Sequence, residues 1–304
     1  MTAKIIDGNE VAAKIRKECC VRTEKLRAAG ITPGLAVIMV GDNPASAVYV
    51  RKKIQACADV GIASRKHLFP ATASQQEVVD RISELGADPA VHGILVQLPL
   101  PSHFDIKAVL SAIPREKDVD GFHLYNVGGL VIGETVFPPC TPYGVMRLLD
   151  HAGVEVAGRN AVVIGASNIV GKPMALMLMQ RDATVSVCHA KTRDLAQFTI
   201  LADILIVAAG CPKLIVGPMV KTGAVVIDVG INRLPDGRLV GDCDFESVSR
   251  RAAMITPVPG GVGPMTVTML LVNTIRSAEA EVLSPGNLRN PKPEFQAQAD
   301  ISIR

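Results

Sequence analysis

Apolar residues recur along this chain with two periods that take turns. Val11, Ile15, Cys19 and Leu26 fall on one stripe of an α-helix. GLAVIMV at residues 34–40 is apolar throughout, which predicts a strand covered on both faces. Pro44 predicts the first turn of a helix and Gly61 its stop. Ser74-Gln75-Gln76-Glu77 reads as a capping box ahead of Val78, Val79, Ile82 and Leu85, so another helix starts there. VHGILVQLPLP at 91–101 predicts a strand that ends in a proline-rich loop. The second half is more regular. Apolar runs at 160–164, 183–188, 203–209 and 224–229 start about 20 residues apart, which leaves room for one helix between parallel strands. A short strand at 254–257 and a helical pattern over 265–280 complete the series.

This alternation predicts an α/β protein of two domains. An N-terminal α/β domain spans 1–142 and is completed by a helix at about 265–283. A Rossmann-type, doubly wound parallel sheet spans 143–264. The boundary falls in the loop-rich stretch around Pro138, Pro139, Pro142 and Gly144. The tail, 284–304, carries three prolines and few large apolar residues; it is expected to be disordered, with no part in a site. No internal repeat is evident.

Composition narrows the function classes. The 304 residues suffice for two cores, and 48% apolar with 20% charged residues fits a globular protein. The net charge is only +3 and no Lys/Arg run occurs, so no nucleic-acid partner is expected. The first turns are charged and lack an apolar stretch, so no secretory signal is expected. No apolar run approaches the ~20 residues of a membrane span. The seven cysteines are scattered and form no C-x-x-C pair, which suits reduced thiols in a cytoplasmic protein. No metal-ligand spacing is present, so no metal is expected.

The run at 160–164 leads straight into Gly165-Ala166-Ser167-Asn168-Ile169-Val170-Gly171-Lys172-Pro173, and a helical pattern follows. Strand, glycine-rich turn and helix is the context of a pyrophosphate site, because glycines admit the phosphates and a helix N-terminus offers N–H donors. The spacing is neither G-x-G-x-x-G nor a P-loop, and an ordinary tight strand–helix turn would read the same way. The next strand ends in Cys188-His189-Ala190-Lys191-Thr192-Arg193. An NAD site usually has an acid there for the ribose 2′-OH, whereas basic residues suit the 2′-phosphate of NADP. A solvated helix start whose charges touch nothing is the plain alternative.

Three features of the first half carry candidate chemistry. Tyr49 and Lys53 are four apart and share a helix face, Gln97 ends a buried strand, and Asp118 and Asp120 lie in KDVDGFH. Singly, each is as readily a wet helix face or a turn-capping residue. Together the segments SAVYVRKK, VQLPLP, KDVDGFH, PPCTPYG, GASNIVGKP, TVSVCHAKT and TPVPGGVGPMTV occur in one order over 46–268. With them the chain closely resembles the bifunctional methylenetetrahydrofolate dehydrogenase–cyclohydrolase family, over roughly residues 3–283.

The resemblance implies an NADP-dependent enzyme that oxidises methylenetetrahydrofolate and hydrolyses the methenyl product, a cytoplasmic homodimer of one-carbon metabolism and purine biosynthesis with its active-site cleft between the domains. It implies catalytic roles for Tyr49, Lys53, Gln97 and Asp120, with Lys53 hydrogen-bonded by Gln97 and Asp120 holding the pterin-like ring. Folate contacts would come from Tyr49, Val96, Gln97, Leu98, Asp120, Pro259, Gly260, Gly261 and Val262. Cofactor contacts would come from Gly165, Ala166, Ser167, Ile169, Val170, His189, Ala190, Lys191, Thr192, Ala209, Gly210 and Ile231. Some similar proteins use Arg where Ala166 stands, and Ser or Arg where Ala190 stands, on the 2′-phosphate; here that preference falls to His189, Lys191, Thr192 and Arg193. Two rival readings are a dehydrogenase-only enzyme of related fold and a non-enzymatic NADP(H) sensor, the latter having no need of the Tyr49/Lys53 pair.

Overall fold

In chain order the elements are β1 (Lys4–Ile5), α1 (Gly8–Ala28), β2 (Gly34–Val40), α2 (Pro44–Val60), β3 (Ala63–Phe69), α3 (Gln75–Ala87), β4 (Gly93–Val96), α4 (Ile106–Ser111), α5 (Leu124–Ile132), α6 (Cys140–His151), β5 (Asn160–Ile164), α7 (Gly171–Met179), β6 (Thr184–Cys188), α8 (Ala196–Thr199), β7 (Ile204–Val207), β8 (Val225–Asp228), β9 (Asn232–Arg233), β10 (Leu239–Val240), α9 (Phe245–Ser249), β11 (Met254–Ile255) and α10 (Val262–Leu283). They are seen in a computed structural model that describes residues 2–283. The tail expected to be disordered lies outside the described residues. Two compact units emerge: one from the chain up to Val21 and Pro139–Val272, the other from Arg22–Pro138 and the chain from Asn273.

The unit that begins at Arg22 is built on a three-stranded parallel sheet in the order β3-β2-β4. Strand β2 is buried at all seven positions, as its unbroken apolar run demands. Ala36, Ile38 and Val40 pack with Val78, Ile82 and Leu85 of α3 and with Ile94 and Val96 of β4. The capping box of α3 is present: the Glu77 N–H donates to Ser74 Oγ, and the Ser74 N–H donates to the Glu77 carboxylate at 2.7 Å. The apolar pattern misses β3. This edge strand reads ASRKHLF, with Ser, Arg, Lys and His between its apolar residues, so no run betrays it.

The other unit carries a six-stranded sheet in the order β1-β11-β8-β7-β5-β6, parallel throughout. The four apolar runs of the second half become β5, β6, β7 and β8, each within a residue or two of the expected limits. Strands β9 and β10 form a separate antiparallel pair. Two-residue β1 adds to the far edge through Lys4 opposite Met254, a strand too short for any period to reveal. The chain runs from β5 to β6 on one side, then returns to β7 on the other. That reversal is a topological switch point, the place where open α/β sheets bind ligands at the carboxyl ends of their strands.

Candidate active site

In the unit begun by Arg22, helix α2 carries Tyr49 and Lys53 one turn apart. Their surroundings differ: Tyr49 is exposed, whereas Lys53 is only 8% exposed. Lys53 Nζ donates to Gln97 Oε1 at 3.1 Å. Gln97 follows the last residue of β4, and its own N–H continues the ladder by donating to the Ile38 carbonyl at 2.8 Å. Its side-chain Nε2 donates to the Leu98 carbonyl at 2.6 Å. An amide has one acceptor end and one donor end, so with Nε2 committed to Leu98 the oxygen must face the lysine. The expected Lys53–Gln97 contact is therefore present with a defined polarity. Val96 is buried, while Gln97 and Leu98 are partly open.

Asp120 follows an aspartate of different character. Asp118 is 1% exposed and accepts from the His123 N–H at 2.8 Å, the Phe122 N–H at 3.2 Å and Asn126 Nδ2 at 2.7 Å. Burial pushes its carboxyl up to about 7, against the pull of Asn126 and the two amides. Asn126 accepts in turn from the Phe137 N–H at 3.2 Å. Asn273 Nδ2 ties down Val119 from the other side, donating to its carbonyl at 2.9 Å and to that of Pro138 at 3.1 Å. The Ile94 N–H donates to the Lys117 carbonyl, which lays this segment beside β4. Asp120, half-buried, thus sits on a turn held by three side chains.

In the unit that contains β5, the strand-to-helix turn has the tightness a phosphate loop needs. A Cβ on Gly171 would lie 1.9 Å from the Gly165 carbonyl oxygen, and one on Gly165 would lie 2.1 Å from that of Ala208. Only glycines fit this cradle, and Gly165 also has φ of +113°. Ser167 Oγ accepts from the Val170 and Gly171 N–H groups at 3.1 and 3.3 Å and so holds the turn that leads into α7. Ala166 is half-buried; Ile169 is exposed and Val170 partly so. After β6 the loop ties itself: the His189 N–H donates to Thr192 Oγ1 at 3.0 Å, and His189 Nδ1 accepts the Lys191 N–H at 3.1 Å. Two of the four groups expected to reach a 2′-phosphate are therefore engaged in shaping the turn. Lys191 and Arg193 are exposed beside exposed Ala190.

The remaining expected contacts also fall at this end. Ala209 and Gly210 follow β7, and Ile231 follows β8. Pro259, Gly260, Gly261 and Val262 lead into α10. The Gly8 N–H donates to the Gly260 carbonyl at 2.9 Å, so the start of α1 abuts this loop. The structure thus gathers Gln97 and Lys53 in one unit with Tyr49 and Asp120, and the cofactor candidates with residues 259–262 in the other. Sequence patterns missed Asp228 and Asp242. Both are buried, and burial raises Asp228 to about 6. The available signal was an aspartate closing the apolar strand VVID.

Comparison with known proteins bears on both ends. Residues 6–120 match the model of the tetrahydrofolate dehydrogenase/cyclohydrolase catalytic domain, and 139–282 that of the family's NAD(P)-binding domain. The chain is 61% identical over 279 residues to the bifunctional protein FolD of Nitrosospira multiformis, covering 92% of this chain and 97% of that one. The crystal structure of the bifunctional FolD enzyme from Campylobacter jejuni superposes with a TM-score of 0.90 at 53% identity, covering 91% of this chain and 99% of that one. The Trypanosoma brucei methylenetetrahydrofolate dehydrogenase-cyclohydrolase, solved with NADP cofactor and inhibitor, gives 0.90 at 42% identity, covering 93% and 100%. With both domain models matched in order and relatives this similar over nearly its whole length, the chain belongs to the tetrahydrofolate dehydrogenase/cyclohydrolase family.

Proposed function

We propose that the protein oxidises 5,10-methylenetetrahydrofolate to 5,10-methenyltetrahydrofolate with NADP, then hydrolyses the methenyl group to give 10-formyltetrahydrofolate. The observation that carries this reading is the buried Lys53 joined to Gln97, within a chain whose residues 6–120 and 139–282 match the family's two domain models. A dinucleotide sensor would need no buried amine beside a strand end.

Asp120 would hold the pterin ring, since a carboxylate can take two parallel N–H bonds from a planar heterocycle. Tyr49, exposed on the helix that carries Lys53, would lie against the ring. Lys53 would serve the hydration step. Water adds to the methenyl carbon, a C–O bond forms, a ring C–N bond breaks, and one proton must leave the attacking water. Lys53 would accept that proton, while the second proton of the water passes to the ring nitrogen released as the formyl C=O forms. Gln97 offers a carbonyl that accepts an N–H from the lysine in either state, so it fixes position without fixing charge. The dehydrogenase step removes a hydride and no proton, so it needs no base.

The cradle of Gly165 and Gly171, with the first turn of α7, would hold the pyrophosphate of NADP. Lys191 and Arg193 would take the 2′-phosphate. When bound, the nicotinamide supplies the acceptor for the hydride. Ala209, Gly210 and Ile231 would border it.

The protein would act as a cytoplasmic homodimer whose product feeds purine biosynthesis. All seven cysteines stand as thiols, as suits a reducing compartment. Strand β6 ends its sheet unpaired on one side, with Val187 exposed, and Phe198, Ile200 and Leu201 of the same unit are exposed too. The deciding assay supplies methylenetetrahydrofolate with NADP or NAD and follows methenyl and formyl products separately. Both products should form, faster with NADP. Methenyl accumulation without hydration would leave a dehydrogenase alone.

A further inference from the structure

The loop after β7 is held by a single buried carboxylate. Asp242, fully buried, accepts from the N–H groups of Ala209 and Gly210 through Oδ2, at 2.7 and 2.9 Å, and from Cys211 through Oδ1 at 2.9 Å. Asn232 Nδ2 adds a fourth donor at 2.8 Å. Three successive amides converging on one anion form a backbone nest, and here the chain supplies the anion itself.

Asp242 is braced in turn. Its N–H donates to Asp228 Oδ1 at 2.9 Å, an oxygen that also accepts from the Gly230 N–H at 3.0 Å, while Asp228 Oδ2 accepts from the Cys243 N–H at 2.8 Å. A Cβ on Gly230 would lie 2.3 Å from the Asp242 carboxyl carbon, so the backbone after β8 approaches as closely as a glycine allows. Two aspartates thus join the loops that follow β7 and β8. These same loops carry Ala209, Gly210 and Ile231.

We propose that Asp242 is a positioning residue for NADP: by drawing three consecutive amides onto one carboxylate it fixes the conformation of residues 209–211 against which the dinucleotide lies. The inference rests on the cofactor reading above. It assigns the rigidity of that surface to a residue that touches no ligand.

Asp242→Asn leaves one acceptor oxygen, so at most two of the four donors stay satisfied and an amide N–H₂ faces the others. The KM for NADP should rise about 10- to 100-fold, as expected when buried donors lose a charged acceptor. The KM for methylenetetrahydrofolate should stay within about twofold if the change acts at residues 209–211 alone. A merely structural aspartate would lower the melting temperature and leave the two KM values normal, or raise both together; either result in folded Asp242→Asn overturns the proposal. If Asp242→Asn does not fold, Asn232→Ala decides: it removes the donor that holds Asp242 Oδ1 beside the Cys211 N–H, so the carboxylate loosens its grip on the three amides and the KM for NADP should rise about threefold. An unchanged value there overturns the proposal. Wild-type protein that fails to use NADP overturns the cofactor reading and this inference together. Normal NADP use by wild type and by Asp242→Asn overturns the inference alone.

Discussion

The two units solve the same problem, holding a small molecule in one pose, with different parts of the chain. At the proposed folate end the working groups would be side chains: Lys53 against Gln97, and Asp120 on a turn braced by Asp118, Asn126 and Asn273. At the proposed dinucleotide end they would be backbone: a glycine cradle at 165 and 171, and three amides at 209–211 gathered by Asp242. A side chain can be deleted cleanly, whereas backbone is moved only by crowding it or by removing what holds it. Substitutions at the folate end should therefore abolish single functions, and those at the dinucleotide end should weaken binding by degrees.

The largest effect expected is that of Asp120→Ala. Losing a bidentate charged contact to the ring should reduce both activities by about 10²–10⁴-fold. The fold should survive, because Asp118, with its three donors, ties the turn together. Folate binding measured by fluorescence decides this, and normal affinity would make Asp120 a turn residue only.

Lys53→Met sharpens the contrast within one unit. The side chain keeps much of its volume and loses the amine, so cyclohydrolase turnover should fall by the ~10²–10⁴-fold typical of a lost acid–base group. Dehydrogenase turnover should fall less, through misplacement alone. Both reactions are assayed on this one variant, and an equal fall in the two would reassign Lys53 to substrate orientation.

At the other end, Gly171→Ala places a methyl where the Gly165 carbonyl oxygen stands 1.9 Å away. Backbone must shift, at a cost of about 1–3 kcal/mol for overpacking. NADP affinity should drop about tenfold or more in titration calorimetry if that strain is relieved at the phosphate turn. Unimpaired affinity would mean that the pyrophosphate does not use this cradle.

The same contrast explains what could be read from the sequence. The four strands of the second half were legible because each is a largely apolar run, buried in β5, β7 and β8 and mostly open in the edge strand β6. Lys53 and Gln97 stood out by type and place but read as readily as a wet helix face and a turn cap, and only the family resemblance joined them; the structure shows the bond between them. Strand β3 was not, since an edge strand need not be apolar. Asp242 was not, because its meaning lies in three amides more than 30 residues away in sequence, and amides are the same at every position. His189 and Thr192, expected at a 2′-phosphate from the basic cluster after Cys188 and the family resemblance, also shape their own turn, which the sequence did not reveal.

The smallest effect concerns the two bracing aspartates and is one of slope. Burial raises Asp118 to about 7 and Asp228 to about 6, from an ordinary value of 3.8. A raised folded-state value means that the native protein keeps a proton that the unfolded chain has already lost. Between about pH 4 and 7 the native state therefore binds more protons, and stability falls as pH rises through this window, by up to about 1.4 kcal/mol per unit for each group. Above about pH 7 both groups are ionised in both states and the slope vanishes. The uppermost part of the window, from about pH 6 to 7, belongs to Asp118 alone. Asp118→Asn removes that titration. The variant should melt lower at every pH, because the new amide N–H₂ faces the donors of Phe122, His123 and Asn126. Its decline with pH should end about one unit earlier than in wild type. Thermal melts at half-unit steps from pH 4.5 to about 8 read this directly. Parallel curves for wild type and variant would show that Asp118 stays ionised throughout, its three donors outweighing its burial, and the two ends of the molecule would then be braced by carboxylates of the same kind.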